Sequence, residues 1–227
     1  MLDCLEKIKT LYGIDTLNGV SQADIDRTES RVGVLPKVFK DYYQTLGLDD
    51  NINRSFNKIL SLDEMDFADD YLVIAKENQA VCHWGIYQGD LHQDNPKVYV
   101  CYDIDDDNPT WHIENNSVCG FFMMMGFFNA TMGGIKYHAN YMGDKGNIKR
   151  SVIDDIKEHW QEIPNIQIND RTCYFTKDFK EILILCFDDN DECNGVFLAS
   201  GERSLFDEYL AMDIDWSYVC DEDFDEE

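Results

Sequence analysis

Residues 69–102 read DDYLVIAKENQAVCHWGIYQGDLHQDNPKVYVCY, and this stretch decides the fold of the chain. Three runs of apolar, β-branched and aromatic residues lie in it, at 71–75, 80–86 and 97–102. The polar turn 76–79 separates the first two runs, and a loop containing Gly, Asp and Pro, 88–96, separates the second and third. Short runs of strand-forming residues with turn residues between them predict an antiparallel meander.

Helices are predicted on both sides of this meander. Helical spacing of apolar residues before it predicts three helices, over 2–11, 22–31 and 36–46, and Ser21 is the predicted cap of the second. The aromatic stripe of the third, which includes Tyr42 and Tyr43, is predicted to pack on the meander. After a short fourth strand at 111–114, Ser117 is predicted to cap a helix over 118–134. This helix is apolar on every side, so we expect it to be buried.

The second half of the chain repeats this order weakly. Strand patterns occur at 171–176, 181–187 and 194–200, with helical patterns before and after them. Ser151 with Asp154 resembles a capping box, and the aperiodic, glycine-containing segment 137–149 is the predicted linker. The second half is either an imperfect duplication or an extension that enlarges one sheet. We expect one α+β domain over 1–227, with helices packed against a mostly antiparallel sheet.

Composition limits the classes of partner. The 227 residues include 19 Lys and Arg against 45 Asp and Glu, a net charge of −26, with 44% apolar residues. The apolar content indicates a folded chain. The negative charge excludes unaided binding to nucleic-acid backbones and disfavours binding to anionic membranes. The same charge favours basic partners. The chain lacks a secretory signal pattern and an apolar run long enough for a membrane span. Eight cysteines without C-x-x-C spacing predict reduced thiols in the cytoplasm, with no zinc site and no cofactor.

Acidic residues gather in two loops and a tail. We predict that both loop clusters, together with the nearby aromatic Trp111, bind the partner, because interfaces combine aromatic anchors with polar rims. The alternative for each loop is solvated turn chemistry, and acidic tails usually only solvate. The predicted partner-binding residues are Asp103, Asp105, Asp106, Asp107, Trp111, Asp188, Asp189, Asp191 and Glu192, and the acidic tail occupies 219–227.

Catalytic and metal sites are not predicted. Residues 103–114 partly fit a calcium loop, but Asn108 replaces the required glycine and a strand precedes the loop. The five histidines have no metal-binding spacing, although His83 and His112 lie in predicted strands. A Cys–His pair involving Cys82 or Cys119 is conceivable, and nothing in the sequence selects one.

The first half resembles the SUKH superfamily, which contains the Smi/Knr cell-wall-synthesis regulators and many bacterial immunity proteins. The resemblance covers about residues 20–130 well and is looser to 216; residues 150–218 are a possible extension or second repeat. The motifs that carry it are Ser21, Glu29, Leu35-Pro36, Tyr42-Tyr43, Gly47, Glu77-Asn78-Gln79, Trp84-Gly85 and Pro96-Val98-Tyr99.

The resemblance implies an α+β fold and a non-enzymatic role, with no catalytic residues to carry over. It implies an immunity protein that binds and neutralises a toxin domain, and the charge of −26 fits a basic toxin such as a nuclease. Two alternatives stay open: a Smi/Knr-type regulatory scaffold that binds other cellular proteins, and an uncharacterised hydrolase.

Overall fold

The chain folds into helices and two antiparallel sheets. The structure, a computed structural model, describes residues 2–106, 108–143, 146, 148–164, 166–168 and 171–221. The α+β class and the antiparallel pairing predicted from the sequence are confirmed. The helices are α1 Leu2–Tyr12, α2 Gln22–Val32, α3 Lys37–Leu46, α4 Asp50–Asn53, α5 Val118–Asn129, α6 Arg150–His159 and α7 Arg203–Leu210.

The first sheet contains the predicted meander. Its six strands run in the order β1-β3-β4-β5-β6, and β2 pairs with β3. Residues 80–82, predicted as strand, instead lie in the turn before β4, where Ala80 has a positive φ of 60°. The strands are β1 Lys58–Ile59, β2 Asp66–Ala68, β3 Tyr71–Lys76, β4 His83–Tyr87, β5 Val98–Cys101 and β6 Trp111–Asn115.

The second half of the chain builds a sheet of its own and does not enlarge the first. This second sheet has six strands in the order β12-β7-β11-β10-β9-β8. The last strand of the first sheet meets a loop of the second half: the Ile168 N–H donates to the carbonyl of Glu114 (3.1 Å), and Asn115 donates to the carbonyl of Ile166. The strands are β7 Tyr137–Tyr141, β8 Gln161–Glu162, β9 Thr172–Thr176, β10 Glu181–Phe187, β11 Cys193–Ser200 and β12 Tyr218–Cys220.

Helix α5 lies in the core that both sheets share. Alternate residues of β10 face opposite sides: Ile182 and Ile184 join the core around α5, while Leu183 and Leu185 join a second core formed with α6 and α7. Both faces of the second sheet are therefore covered, which explains why its strands are apolar at successive positions. As predicted, Ser117 caps α5 by accepting from the Gly120 N–H (3.0 Å), and the helix is buried.

Two predictions about this region are wrong for the same reason. The aromatic stripe of α3 packs on α5 and not on the meander: Tyr42 stacks on Phe122 with 3.7 Å between ring centroids and 6° between planes. Segment 137–149, predicted as a linker, begins with β7, which pairs with both β11 and β12. In both cases the buried surface is supplied by a distant part of the chain, which local periodicity does not report.

The predicted capping box of the sixth helix is also absent. Lys149 occupies the N-cap of α6 without a side-chain cap, and Ser151 is the second residue of the helix, where it is exposed. The start of α6 is fixed instead by apolar contacts, since Val152, Ile153 and Ile156 belong to the second core.

Asn129, at the end of α5, holds the segment between α4 and β1. Its amide nitrogen donates to the carbonyls of Ile52 (2.7 Å) and Asn57 (2.9 Å), and its oxygen accepts from the Asn57 N–H (2.9 Å). The side chain is fully buried, so these three bonds satisfy backbone groups that water does not reach.

We predict that Asn129→Ala lowers the free energy of unfolding by about 3–5 kcal/mol, because three buried backbone groups lose their partner. Urea unfolding followed by circular dichroism measures this loss. The control Asn51→Ala removes the same side chain from an exposed position of α4 and changes stability by less than about 0.5 kcal/mol. A loss below about 1 kcal/mol for Asn129→Ala would contradict the role given to this side chain.

Candidate partner-binding face

The face of the first sheet that points away from α5 carries large aromatic side chains. Antiparallel strands normally place polar residues on the face that α-helices do not cover. Here the alternation that sends Leu72, Val98 and Val100 into the core sends aromatic residues to the opposite side. We call this surface the aromatic face, and its members are Tyr71, Tyr87, Tyr99 and Trp111.

Tyr71 is the centre of the aromatic face. Its ring stacks on Trp111 at 4.3 Å between centroids and 14° between planes. It also meets Tyr99 edge-on at 5.2 Å and Tyr87 at 5.5 Å. Tyr87 is 38% exposed, and the other three rings are partly exposed. The result is a rigid set of rings with edges in contact with solvent, a surface suited to aromatic and cation–π contacts with a partner.

Gly85 allows Trp111 to lie flat on the sheet. A Cβ built on Gly85 would lie 3.1 Å from Cζ3 and 3.2 Å from Cη2 of the Trp111 ring, and 3.1 Å from the carbonyl oxygen of Leu72. The glycine therefore leaves the space that the indole fills. The indole nitrogen of Trp111 is buried and has no hydrogen-bond partner among the described residues.

Carboxylates surround the aromatic face. We call Asp70, Asp90, Asp105 and Asp106 the acidic rim. The pKa of Tyr71 is raised, first by burial and then by Tyr99 and Tyr87. Asp70 and Asp90 also raise it, to a smaller extent, because both carboxylates lie near the ring. Asp105 and Asp106 are exposed in the loop that leads into Trp111. None of the four forms an ion pair within the described part of the chain.

Asp103, predicted to bind the partner, has a structural role in the same loop. Its carboxylate accepts from the Thr110 N–H (2.9 Å) and from the thiol of Cys101 (3.1 Å). The backbone hydrogen bond from Thr110, followed by the bond from Cys101, lowers the pKa of Asp103. Asp103 therefore closes the loop that presents Asp105 and Asp106. Asp107 lies outside the described residues.

The second predicted cluster lies elsewhere, in the turn between β10 and β11 of the second sheet. Asp188 accepts from the N–H groups of Asn190 (2.8 Å) and Glu192 (3.0 Å), and these bonds lower its pKa. Asp189 pairs with Arg171 (3.2 Å between Nη1 and Oδ1). Asp191 lines a depression with three cations, Arg150, Lys157 and Arg171. This turn is thus partly neutralised, whereas the acidic rim is not.

His83 and Cys101 are the one His–Cys pair that the first sheet places side by side, as register partners of β4 and β5. The Cys101 thiol donates to Asp103, and burial followed by that hydrogen bond raises its pKa. Burial, followed by Lys76, lowers the pKa of His83. Both shifts favour the neutral forms of the two groups. His112 is exposed on β6.

The described residues contain no group of three or more His, Cys, Asp or Glu side chains arranged to hold a metal ion. No helix among them has the length and apolar character needed to cross a membrane.

Sequence reasoning found Trp111 and the loop before it but missed Tyr71, Tyr87 and Tyr99. The signal was present in the strand alternation. Once residues 98 and 100 are assigned to the core, residue 99 must point outward, where strands with one solvated face usually carry polar residues and this one carries tyrosine.

Comparison with known proteins adds no further information, since the chain matches no protein-family model and resembles no curated protein or solved structure significantly.

We predict that Gly85→Ala displaces Trp111 from Tyr71 and costs about 1–3 kcal/mol of stability, because the ring must move while the Leu72 carbonyl is fixed in the sheet. Tryptophan fluorescence and urea unfolding report the two effects. In a Trp111→Ala background the same substitution should cost clearly less, because the ring is gone. Equal costs in both backgrounds would contradict the proposed fit of indole over glycine.

Proposed function

We propose that this chain is a non-enzymatic immunity protein of the cytoplasm that binds and neutralises a basic toxin domain through the aromatic face and its acidic rim. The observation that carries the proposal is the stack of Trp111 on Tyr71, with Tyr87 and Tyr99 against it, on a sheet face bordered by carboxylates that form no ion pair with any described residue. The resemblance of residues 20–130 to the SUKH superfamily supports the same function.

The chemistry of the face fits a basic protein. A toxin that acts on nucleic acid needs a positive surface, and its Lys and Arg side chains can lie over the tyrosine and tryptophan rings. The acidic rim and the net charge of −26 steer such a partner during approach. Docking would cover the nuclease surface that its substrate needs, so inhibition requires no chemistry from the immunity protein.

We predict that Tyr71→Ala with Trp111→Ala weakens binding to the toxin encoded beside this chain's gene by at least about 30-fold, or about 2 kcal/mol. Isothermal titration calorimetry measures the affinity, and co-expression with the toxin measures protection. Thermal unfolding verifies that the variant is folded. A folded double variant that binds and protects like the wild type would remove the aromatic face from the interface.

The acidic rim has a different predicted effect. Asp105→Asn with Asp106→Asn should slow association several-fold at low salt and leave dissociation nearly unchanged, because exposed charges act mainly on the encounter. The difference should disappear near about 1 M salt, where the screening length is about 3 Å. Stopped-flow association measures the rates.

A matched control tests the other acidic turn. Asp189→Asn with Asp191→Asn makes the same change of charge on the second sheet, where Arg171 already compensates Asp189. We expect a smaller effect on association. A larger effect from this control would place the interface at the turn between β10 and β11.

The absence of a neighbouring toxin gene, together with failed rescue in co-expression, would overturn the immunity function and favour a regulatory scaffold.

A further inference from the structure

Two cysteines lie side by side where α1 packs on α5, and both are free thiols. Cys4 belongs to α1 and is buried in the core around α5, with 2% of its surface exposed. Cys119 is the second residue of α5 and is partly exposed. A side-chain hydrogen bond joins the two thiols. One sulfur of the pair is therefore open to small molecules in solvent, and the other lies directly behind it.

Gly126 brings the two helices into close contact. The Tyr12 hydroxyl donates to the Gly126 carbonyl (2.8 Å), and a Cβ built on Gly126 would lie 3.4 Å from Cγ1 of Ile8. Cys4 precedes Ile8 by about one turn of α1, and Cys119 precedes Gly126 by about two turns of α5. The two thiols therefore lie on facing sides of helices that run in the same direction, and the packing of both helices holds them together.

The two thiols differ in their environments. The hydrogen bond with Cys119, followed by burial, raises the pKa of Cys4. A shift of this direction is expected of the thiol that donates the bond, so the sulfur of Cys119 is the acceptor. Cys119 lies in the first turn of α5, which contains no acidic side chain and where the positive end of the helix dipole favours an anionic sulfur. Cys119 thus combines partial exposure, a hydrogen-bond donor and a helix N-terminus, the features of a reactive cysteine.

We propose that Cys119 is an oxidation site for small hydroperoxides, and that Cys4 converts the oxidised form into a disulfide that joins α1 to α5. In the first step the Cys119 thiolate attacks the terminal oxygen of the hydroperoxide and becomes a sulfenic acid. An S–O bond forms, the O–O bond breaks, and the leaving oxygen takes up a proton and departs as an alcohol, or as water when the oxidant is hydrogen peroxide.

The second step uses the buried thiol. The Cys4 sulfur attacks the sulfenic sulfur of Cys119, the S–S bond forms and the S–O bond breaks. The departing hydroxide takes up the proton of the Cys4 thiol and leaves as water. The two cysteines together lose two electrons, and the O–O bond of the hydroperoxide gains them. A dithiol reductant returns both cysteines to thiols by exchange.

The disulfide would lock the N-terminal helix onto the core helix. It closes the long loop between Cys4 and Cys119, and cross-links of this kind constrain the unfolded chain most strongly when the loop is long. Oxidation therefore stabilises the folded chain, and reduction reverses the effect. The pair lies on the α5 side of the first sheet, opposite the aromatic face, so the proposal does not depend on toxin binding.

Hydrogen peroxide treatment followed by peptide mass spectrometry tests the site. We expect the disulfide between Cys4 and Cys119 to form at least about ten-fold faster in the folded chain than in urea, because folding holds the two sulfurs together. The melting temperature should rise by at least about 5 °C on oxidation and return after treatment with dithiothreitol. Failure of this bond to form in the folded chain, oxidation first at another cysteine, or an unchanged melting temperature would overturn the proposal.

Variants separate the roles of the two sulfurs, with circular dichroism to verify folding. Cys4→Ala should accumulate the sulfenic acid of Cys119, which dimedone labels, because the second thiol is missing. Cys119→Ser should leave Cys4 unlabelled and remove the change in melting temperature. Cys186→Ser is the matched control, at a partly exposed position where burial, as the largest cause, raises the pKa of the thiol to about 11. It should form the disulfide at the wild-type rate. Dimedone labelling of Cys4 in Cys119→Ser as fast as that of Cys119 in Cys4→Ala would contradict the assignment.

Discussion

The architecture depends on one constraint: helix α5 is apolar on every side, so every side must be covered. Ten of its twelve residues are buried. Helix α3 covers one side through the stack of Tyr42 on Phe122, and the second sheet covers another, where Phe128 meets Phe197 at 5.4 Å between ring centroids. Neither sheet can supply all of this cover alone. The requirement explains why side chains of the second sheet pack in the same core as α5 and the first sheet.

The dipeptide Trp84-Gly85 places one residue on each face of the first sheet. Successive residues of a strand point to opposite faces. Trp84 therefore lines a cavity on the inner face, and Gly85 leaves space on the outer face for the ring of Trp111. These two neighbouring positions therefore have different packing requirements: a large ring on the inner face and no side chain on the outer face.

Local physics predicted a large part of this fold, and long-range packing decided the rest. Ser21 and Ser117 cap their helices as predicted, and the meander appears in the predicted order, because caps, turns and strand formers act over a few residues. The strand β7 and the partner of the α3 stripe were mispredicted, because both depend on contacts far along the chain. At the site, Trp111 was predicted from its neighbouring acidic loop. Its stacking partner Tyr71 was not, because forty residues separate them and the sheet brings them together.

The acidic loops show that charge alone does not define an interface. The carboxylates of Asp103 and Asp188 accept hydrogen bonds from backbone N–H groups of their own turns, and Asp189 forms an ion pair with Arg171. Asp105 and Asp106, in contrast, are exposed in the loop that leads into the aromatic face.

The most direct measurement of the central claim is hydrogen–deuterium exchange of the chain with and without its toxin partner. Our account predicts slower exchange in 87–90 and in the loop 102–110 of the complex, with the turn 188–192 unchanged. Slower exchange confined to 188–192 would contradict it.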